Sequence, residues 1–160
     1  MFAIIKEKIF RKEFVVQIIS MLFIILFTYA AISKLLDYEN FKLLLEKSPF
    51  LGSYANLLSW LIPAIELMIA VLFFFRKLSL EALWSSLFLM VIFTAYIIIV
   101  LNFSESIPCS CGGIISSLSW NQHLYFNIGF IVLAAGGILL VYPRKKSFSN
   151  SHKALFNKEL

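Results

Sequence analysis

Four apolar stretches, each close to the length that crosses a bilayer, constrain this chain more than any other feature. They cover residues 14–36, 57–75, 80–101 and 124–142. A membrane-spanning helix needs ~20 mostly apolar residues, and 160 residues leave room for four such helices but for no sizeable soluble domain. Hydrophobic residues make up 61% of the chain and charged residues only 14%, which is far from the balance of a soluble protein. We therefore expect an all-α integral membrane protein, an up-and-down four-helix bundle.

Polar residues divide the chain into a membrane domain and two basic ends. We expect a basic N-terminal segment at 1–13, a four-helix transmembrane domain at 14–142 and a basic tail at 143–160. The first apolar run is longer than the ~7–15 residues of a signal-peptide core, and Lys34 stands where a cleavage site needs small residues. We therefore expect this run to be retained as a helix.

The distribution of lysine and arginine predicts an orientation. Basic residues cluster before the first run, between the second and third, and after the fourth: Lys6, Lys8, Arg11, Lys12, Arg76, Lys77, Arg144, Lys145 and Lys146. Residues 102–123 contain neither lysine nor arginine. By the positive-inside rule, both termini are cytoplasmic and this loop faces outward. The net charge of +5 therefore reflects the orientation of the chain in the membrane. It does not indicate nucleic-acid binding, because the basic residues form no patch interleaved with aromatic residues.

The connection between the first two runs carries an amphipathic pattern. Apolar residues recur at helical spacing beside charged ones, as Phe41, Leu44 and Leu45 do beside Glu39, Lys42 and Glu46. This pattern predicts a short helix on the outer membrane interface, which Pro49 and Gly52 would end.

Both cysteines of the chain, Cys109 and Cys111, lie in the segment IPCSCGG of the outward loop. Outside the cytoplasm, neighbouring thiols tend to form or exchange disulfides. In an extended chain, residues two apart have Cα atoms roughly 6.6–7.2 Å apart, at or beyond the ~4.4–6.8 Å of disulfides. Closing the bond therefore needs a turn, which Pro108 and the following glycines favour. Such a bond is strained and easily reduced, so we interpret the pair as redox-active.

Other interpretations of this pair stay open at this point. The thiols could be free, could bridge to a partner, or could belong to a metal site in which Cys109, Cys111 and His123 hold Cu(I) or Zn²⁺. His123 and Asn127 stand one turn apart at the start of the fourth helix, hence on one face. There His123 could accept a thiol proton, or the two residues could simply cap the helix.

Glu66 and Lys34 are ionisable residues within apolar runs. Glu66 lies mid-span, where a carboxyl group is costly, so we expect it to have a function. Alternatively, Glu66 has only a structural role, as a protonated carboxyl group that hydrogen-bonds a neighbouring helix. We expect Lys34 to extend toward the interface. We do not expect it to contact Glu66, which lies roughly 13 Å from the start of its helix.

Three segments carry a resemblance to a known family: SKLLDYENFKLLLEKSP, IPAIEL and IPCSCGGIISSLSWNQHLYFN. Over residues 14–142 the chain resembles the methylamine utilisation MauE family, within the DoxX-like redox-associated membrane proteins. The resemblance implies a membrane protein that works with a periplasmic thioredoxin-like partner to mature the disulfide-rich small subunit of methylamine dehydrogenase. It assigns the redox pair to Cys109 and Cys111. Similar quinone-linked disulfide formers use a second cysteine pair, which this chain lacks.

We therefore expect a thiol-disulfide redox component of the bacterial cytoplasmic (inner) membrane that supports disulfide formation in secreted proteins. Its predicted partners are the lipid bilayer, a thioredoxin-like periplasmic protein and a secreted client. The resemblance to quinone-linked disulfide formers makes a quinone the candidate cofactor, and Glu66 is the candidate residue that binds it. The enzyme class these residues allow is a thiol-disulfide oxidoreductase, although the sequence leaves open whether the protein is an enzyme. The alternatives are a non-catalytic assembly factor that uses residues 41–45, and a copper- or zinc-handling protein.

Overall fold

Five α-helices and two short 3-10 turns form the described part of the computed structural model of this protein. The structure describes residues 2–48, 51–103 and 120–156, and side chains at 11–48, 51–99, 102 and 122–141. The helices are α1 (Phe2–Leu36), α2 (Tyr38–Glu46), α3 (Ala55–Leu72), α4 (Ser79–Phe103) and α5 (Trp120–Phe156). The 3-10 turns Gly52–Tyr54 and Arg76–Leu78 lead into α3 and α4.

Four of these helices are long and apolar enough to cross a membrane. The candidate spans are Arg11–Leu36, Gly52–Leu72, Arg76–Ile99 and Gln122–Val141, with mean hydropathies from 1.9 to 2.4. The prediction of an all-α chain with four membrane helices is therefore confirmed. The side of the membrane that each helix end faces remains a prediction.

Two helices extend beyond the apolar runs that predicted them. Helix α1 begins at Phe2 and α5 continues to Phe156, whereas the apolar runs begin at 14 and end at 142. Polarity sets where a helix leaves the lipid, but backbone hydrogen bonds continue for as long as the residues favour a helix. Lysine, arginine and alanine, which occur in both extensions, are good helix formers.

Helix α2 occupies the connection where the sequence predicts a short amphipathic helix. Its Leu45 is buried, and the backbone N–H of Lys47 bonds the carbonyl of Leu43 where the helix ends. The chain turns sharply after α2. This turn brings Gly52 so close to the end of α2 that a Cβ atom added to it would lie 2.8 Å from the carbonyl oxygen of Glu46. Only glycine fits this approach without a shift of the backbone.

A cluster of aromatic rings joins three of the long helices in the core. The buried ring of Phe23 on α1 lies 5.7 Å from the ring of Phe73, which follows α3, and 5.3 Å from that of Phe130 on α5. Each such pair contributes about 0.5–1.5 kcal/mol beyond the area that it buries. Helix α1 packs chiefly on α3, and α4 chiefly on α5.

The contacts between helices define two ends of the bundle. Lys34 contacts Glu66 while Phe23 contacts Phe73, so α1 and α3 run in opposite directions. We call the end that carries α2 the α2 end. At the opposite end, which we call the basic end, Arg76 lies 3.4 Å from Glu13.

Candidate functional site

An ion pair joins α1 and α3 near the α2 end. The Lys34 Nζ atom donates to both carboxylate oxygens of Glu66, at 2.8 and 3.1 Å, and to the carbonyl oxygen of Ala30 at 3.3 Å. The Glu66 side chain is 1% exposed and the Lys34 side chain 15%. All three ammonium protons of Lys34 therefore have acceptors inside the bundle.

The expectation that Lys34 extends to the interface without touching Glu66 was wrong. That expectation placed the start of α3 level with the end of α1. The structure shows instead that Ser59, seven residues before Glu66, hydrogen-bonds Tyr38, which lies beyond the end of α1. Helix α3 thus begins well past the last residue of α1, and this offset brings Glu66 within reach of the Lys34 side chain.

Two aromatic rings flank the ammonium group of Lys34. Phe41 of α2 and Phe93 of α4 each have their ring centroid 5.9 Å from Nζ. At this distance the negative face of a ring still attracts a cation. Residues of the four helices α1 to α4 therefore surround the ammonium group of Lys34.

Hydroxyl groups hold α2 against the two helices beneath it. The hydroxyl groups of Tyr38 and Ser59 lie 3.0 Å apart, and that of Tyr96 on α4 donates to Ser48, just after α2, at 3.1 Å. Ser48 and Ser59 are both buried. Sequence reasoning missed these contacts; the available signal was a serine on the same face of α3 as Glu66. The assembly-factor alternative uses the apolar face of α2. In the structure this face is directed into the bundle, where Phe41 lies beside Lys34 and Leu45 is buried.

His123 and Asn127 stand near the start of α5. Asn127 is 3% exposed, and its buried Nδ2 atom has no hydrogen-bond partner among the described residues. His123 is half-buried and lies near enough to Lys34 for the two groups to interact electrostatically. These residues therefore belong to the same end of the bundle as the ion pair.

The helix register places His123 at the depth of Glu66. Phe73 and Phe130 both contact Phe23 in the core. Glu66 lies seven residues before Phe73, and His123 lies seven residues before Phe130, in both cases toward the α2 end. At 1.5 Å per residue, both lie about 10 Å above the aromatic cluster. The structure thus assembles, at one depth, two groups that the sequence singled out separately.

Cys109 and Cys111, which carry the sequence-based redox hypothesis, lie outside the described residues. Of the proposed metal ligands, only His123 is described. Within the described ranges, no three histidine, cysteine, aspartate or glutamate residues lie together as a metal site. Both the redox pair and the quinone role of Glu66 remain predictions.

Comparison with known families shows where this arrangement belongs. Residues 12–140 match the family model for methylamine utilisation protein MauE. The chain belongs to the MauE family. Membership implies a methylamine utilisation context, and the matched MauE range includes the Lys34–Glu66 pair, His123 and both cysteines. No curated protein and no solved structure was found to match the chain.

Proposed function

We propose that this MauE-family protein is a thiol-disulfide redox component of the bacterial inner membrane. In this proposal Cys109 and Cys111 exchange electrons with a periplasmic thioredoxin-like protein. The observation that carries it is that the Lys34–Glu66 ion pair, His123 and the buried Asn127 lie at the same end of the bundle, the α2 end; we call these four residues the polar cluster. Helix α4 ends and α5 begins at this same end, and the two cysteines lie between them in the sequence.

Chain connectivity supports a role for the cysteines near this cluster. Cys109 follows Phe103, the last residue of α4, by six positions. Even a fully extended chain spans at most about 3.3–3.6 Å per residue. The Cα atoms of Cys109 and Cys111 therefore lie within about 22 Å and about 29 Å, respectively, of the end of α4.

The exchange needs no oxidant beyond the partner's own disulfide. One cysteine, as its thiolate, attacks a sulfur of the partner disulfide and forms a mixed disulfide, while the other partner sulfur leaves as a thiolate and takes a proton. The second cysteine loses its proton and attacks the mixed disulfide. The products are a Cys109–Cys111 disulfide and a partner dithiol, with two electrons and two protons transferred. The reverse sequence oxidises the partner.

His123 is suited to manage the proton in this exchange. An imidazole titrates in the range where it can accept a proton from a thiol and return it to the leaving sulfur. His123 stands in the first turn of α5, where the positive end of the helix dipole favours a nearby thiolate. Glu66 lies at the depth of His123, and Asn127 lies one helical turn further into the bundle.

The biological product of this chemistry would be correctly paired disulfides in a secreted client. In the methylamine context of the family, the expected client is the disulfide-rich small subunit of methylamine dehydrogenase. Disulfides of secreted proteins form in an oxidising compartment, which agrees with the predicted outward position of the cysteine loop.

The deciding experiment measures the oxidation state of the two cysteines in intact cells. Thiols are trapped with acid and alkylated with a mass tag, before and after reduction, in the parent, Cys109→Ser, Cys111→Ser and doubly substituted proteins. Ser110→Ala, which lies between the cysteines, is the matched control. A mixture of oxidised and reduced forms, with a mixed disulfide that accumulates in one single variant, is the expected result.

Two other results would remove the redox proposal. Fully reduced thiols under aerobic conditions, together with stoichiometric metal that is lost in His123→Ala, would favour the metal-handling alternative. Unchanged maturation of secreted clients in the double serine variant, with maturation lost when α2 is altered, would favour the assembly factor.

A further inference from the structure

Four exposed basic residues converge at the basic end of the bundle. Arg11 and Lys12 stand on α1, and Arg76 and Lys77 begin the turn before α4. The Arg76 Nη2 atom lies 3.4 Å from the carboxylate of Glu13, and this contact holds the two segments beside each other. The Arg76 side chain nevertheless remains 78% exposed. The four cations and Glu13 leave a local excess of positive charge.

Helix α5 brings a third basic segment to the same depth. Its Gly137 approaches α4 and α1 so closely that an added Cβ atom would lie 3.0 Å from the side chain of Leu83 and 3.6 Å from that of Ile19. Seven positions from this contact, toward the basic end, lie Lys12 on α1, Arg76 in the 3-10 turn before α4, and Arg144 on α5. These positions are therefore level, about 10 Å from the contact. Lys145 and Lys146 follow directly in α5.

An exposed apolar surface adjoins these cations. Phe14 follows Lys12 on α1, and Phe74 and Phe75 precede Arg76; all three rings are largely exposed. A soluble anion would contact only the cations and would make no use of the rings. A phospholipid matches both parts, because its phosphate meets the cations while its acyl chains lie along the rings.

We propose that the basic end is a binding site for anionic phospholipids. Arg11, Lys12, Arg76 and Lys77 contact the headgroup phosphates, and the Phe14, Phe74 and Phe75 rings contact the acyl chains. Clusters of four or more basic residues directly beside membrane helices recognise anionic lipids in this way. The site is independent of the redox chemistry proposed for the α2 end, so either proposal can fail without the other.

The test counts lipids retained by the purified full-length protein in a neutral detergent, using native mass spectrometry. Phosphatidylglycerol and phosphatidylcholine of equal chain length are titrated separately, and the affinities are compared. We expect clear preference for phosphatidylglycerol. We expect Arg76→Gln/Lys77→Gln to weaken its binding roughly 20-fold, since each basic residue at a membrane surface contributes about fivefold in affinity.

Lys42→Gln/Lys47→Gln is the matched control, because it removes two positive charges at the α2 end. Its affinity for phosphatidylglycerol should equal that of the parent. The proposal is overturned if both lipids bind equally, if the two double variants lose binding equally, or if Arg76→Gln/Lys77→Gln binds like the parent. Displacement of the lipid by an equal concentration of inorganic phosphate would also overturn it, since that result describes a simple anion site.

Discussion

Lys34 and Glu66 are 32 positions apart in the sequence, yet Nζ of the first lies 2.8 Å from Oε1 of the second. The pair spans α1 and α3 where no water is expected to surround it. Two charges removed from water must compensate each other, and their attraction offsets desolvation only with good geometry. Contact with both carboxylate oxygens provides that geometry.

Removing one partner should destabilise the bundle more than removing both. Glu66→Leu leaves Lys34 as an unpaired buried cation, so we expect a loss of about 3–5 kcal/mol. Lys34→Met/Glu66→Leu leaves no buried charge and should recover most of that loss. Thermal unfolding in detergent, followed by circular dichroism, measures all three proteins. A double variant as unstable as the single one would contradict this account.

The matched control for the ion pair lies on the surface of α2. Lys42 and Glu46 are 3.9 Å apart, one helical turn from each other, and both are partly exposed. Replacing them with Met and Leu should change stability by no more than about 0.5 kcal/mol. A similar loss at both pairs would mean that burial is not what makes the first one important.

Gly137 and Gly136 offer a second matched comparison, on packing. A Cβ at Gly137 meets Leu83 of α4 at 3.0 Å, whereas nothing lies within 4 Å of a Cβ at Gly136. Gly137→Leu should therefore separate α5 from α4 and lower stability by about 1–3 kcal/mol. Gly136→Leu should be neutral or slightly stabilising, because leucine favours a helix over glycine by up to about 1 kcal/mol. Thermal unfolding of the two variants tests this difference.

The apolar runs predict the membrane helices well because the bilayer fixes their length. The predicted run 14–36 ends at the same residue as the span Arg11–Leu36, and the run 124–142 closely matches Gln122–Val141. Helix α2 was also predictable, because its apolar residues follow the helical period. Neither inference requires knowledge of how the helices pack.

The contacts between helices were not predictable in the same way, since hydrophobicity does not fix how far one helix slides past another. The Lys34–Glu66 pair depends on such an offset, and so does the common depth of Glu66 and His123. The face of α5 that carries Asn127 was predictable from the helical period, but the burial of its side chain was not. Polar residues inside apolar runs were the only available signal, and they indicate importance without naming a partner.

The hydroxyl contacts of α2 predict how firmly it covers the ion pair. Tyr38→Phe removes the hydrogen bond to Ser59 but keeps the ring against Trp60, 5.2 Å away. A hydrogen bond of this kind contributes about 1 kcal/mol. We therefore expect the amide protons of α2 to exchange about fivefold faster, while those of α3 are unchanged. Hydrogen exchange read by mass spectrometry resolves the two helices.

Tyr54→Phe is the control for this measurement, because Tyr54 is exposed and lies before α3. Its substitution should leave exchange in α2 as in the parent. Equal protection of α2 in Tyr38→Phe and the parent would mean that apolar packing alone, through residues such as Leu45, holds the helix in place.

His123 provides the last prediction, which rests on the proposed thiol-disulfide exchange. If His123 moves the thiol proton, His123→Gln should slow exchange with a thioredoxin-like partner about 100-fold near neutral pH. The rate should also lose the part of its pH dependence that comes from protonation of the imidazole. Tyr125→Phe, two residues along α5 on an exposed position, should leave both the rate and its pH profile unchanged. The measurement is the rate of mixed-disulfide formation after rapid mixing, followed by acid quenching at a series of pH values. Equal rates and pH profiles for His123→Gln and the parent would assign His123 to helix capping and would leave proton transfer to solvent.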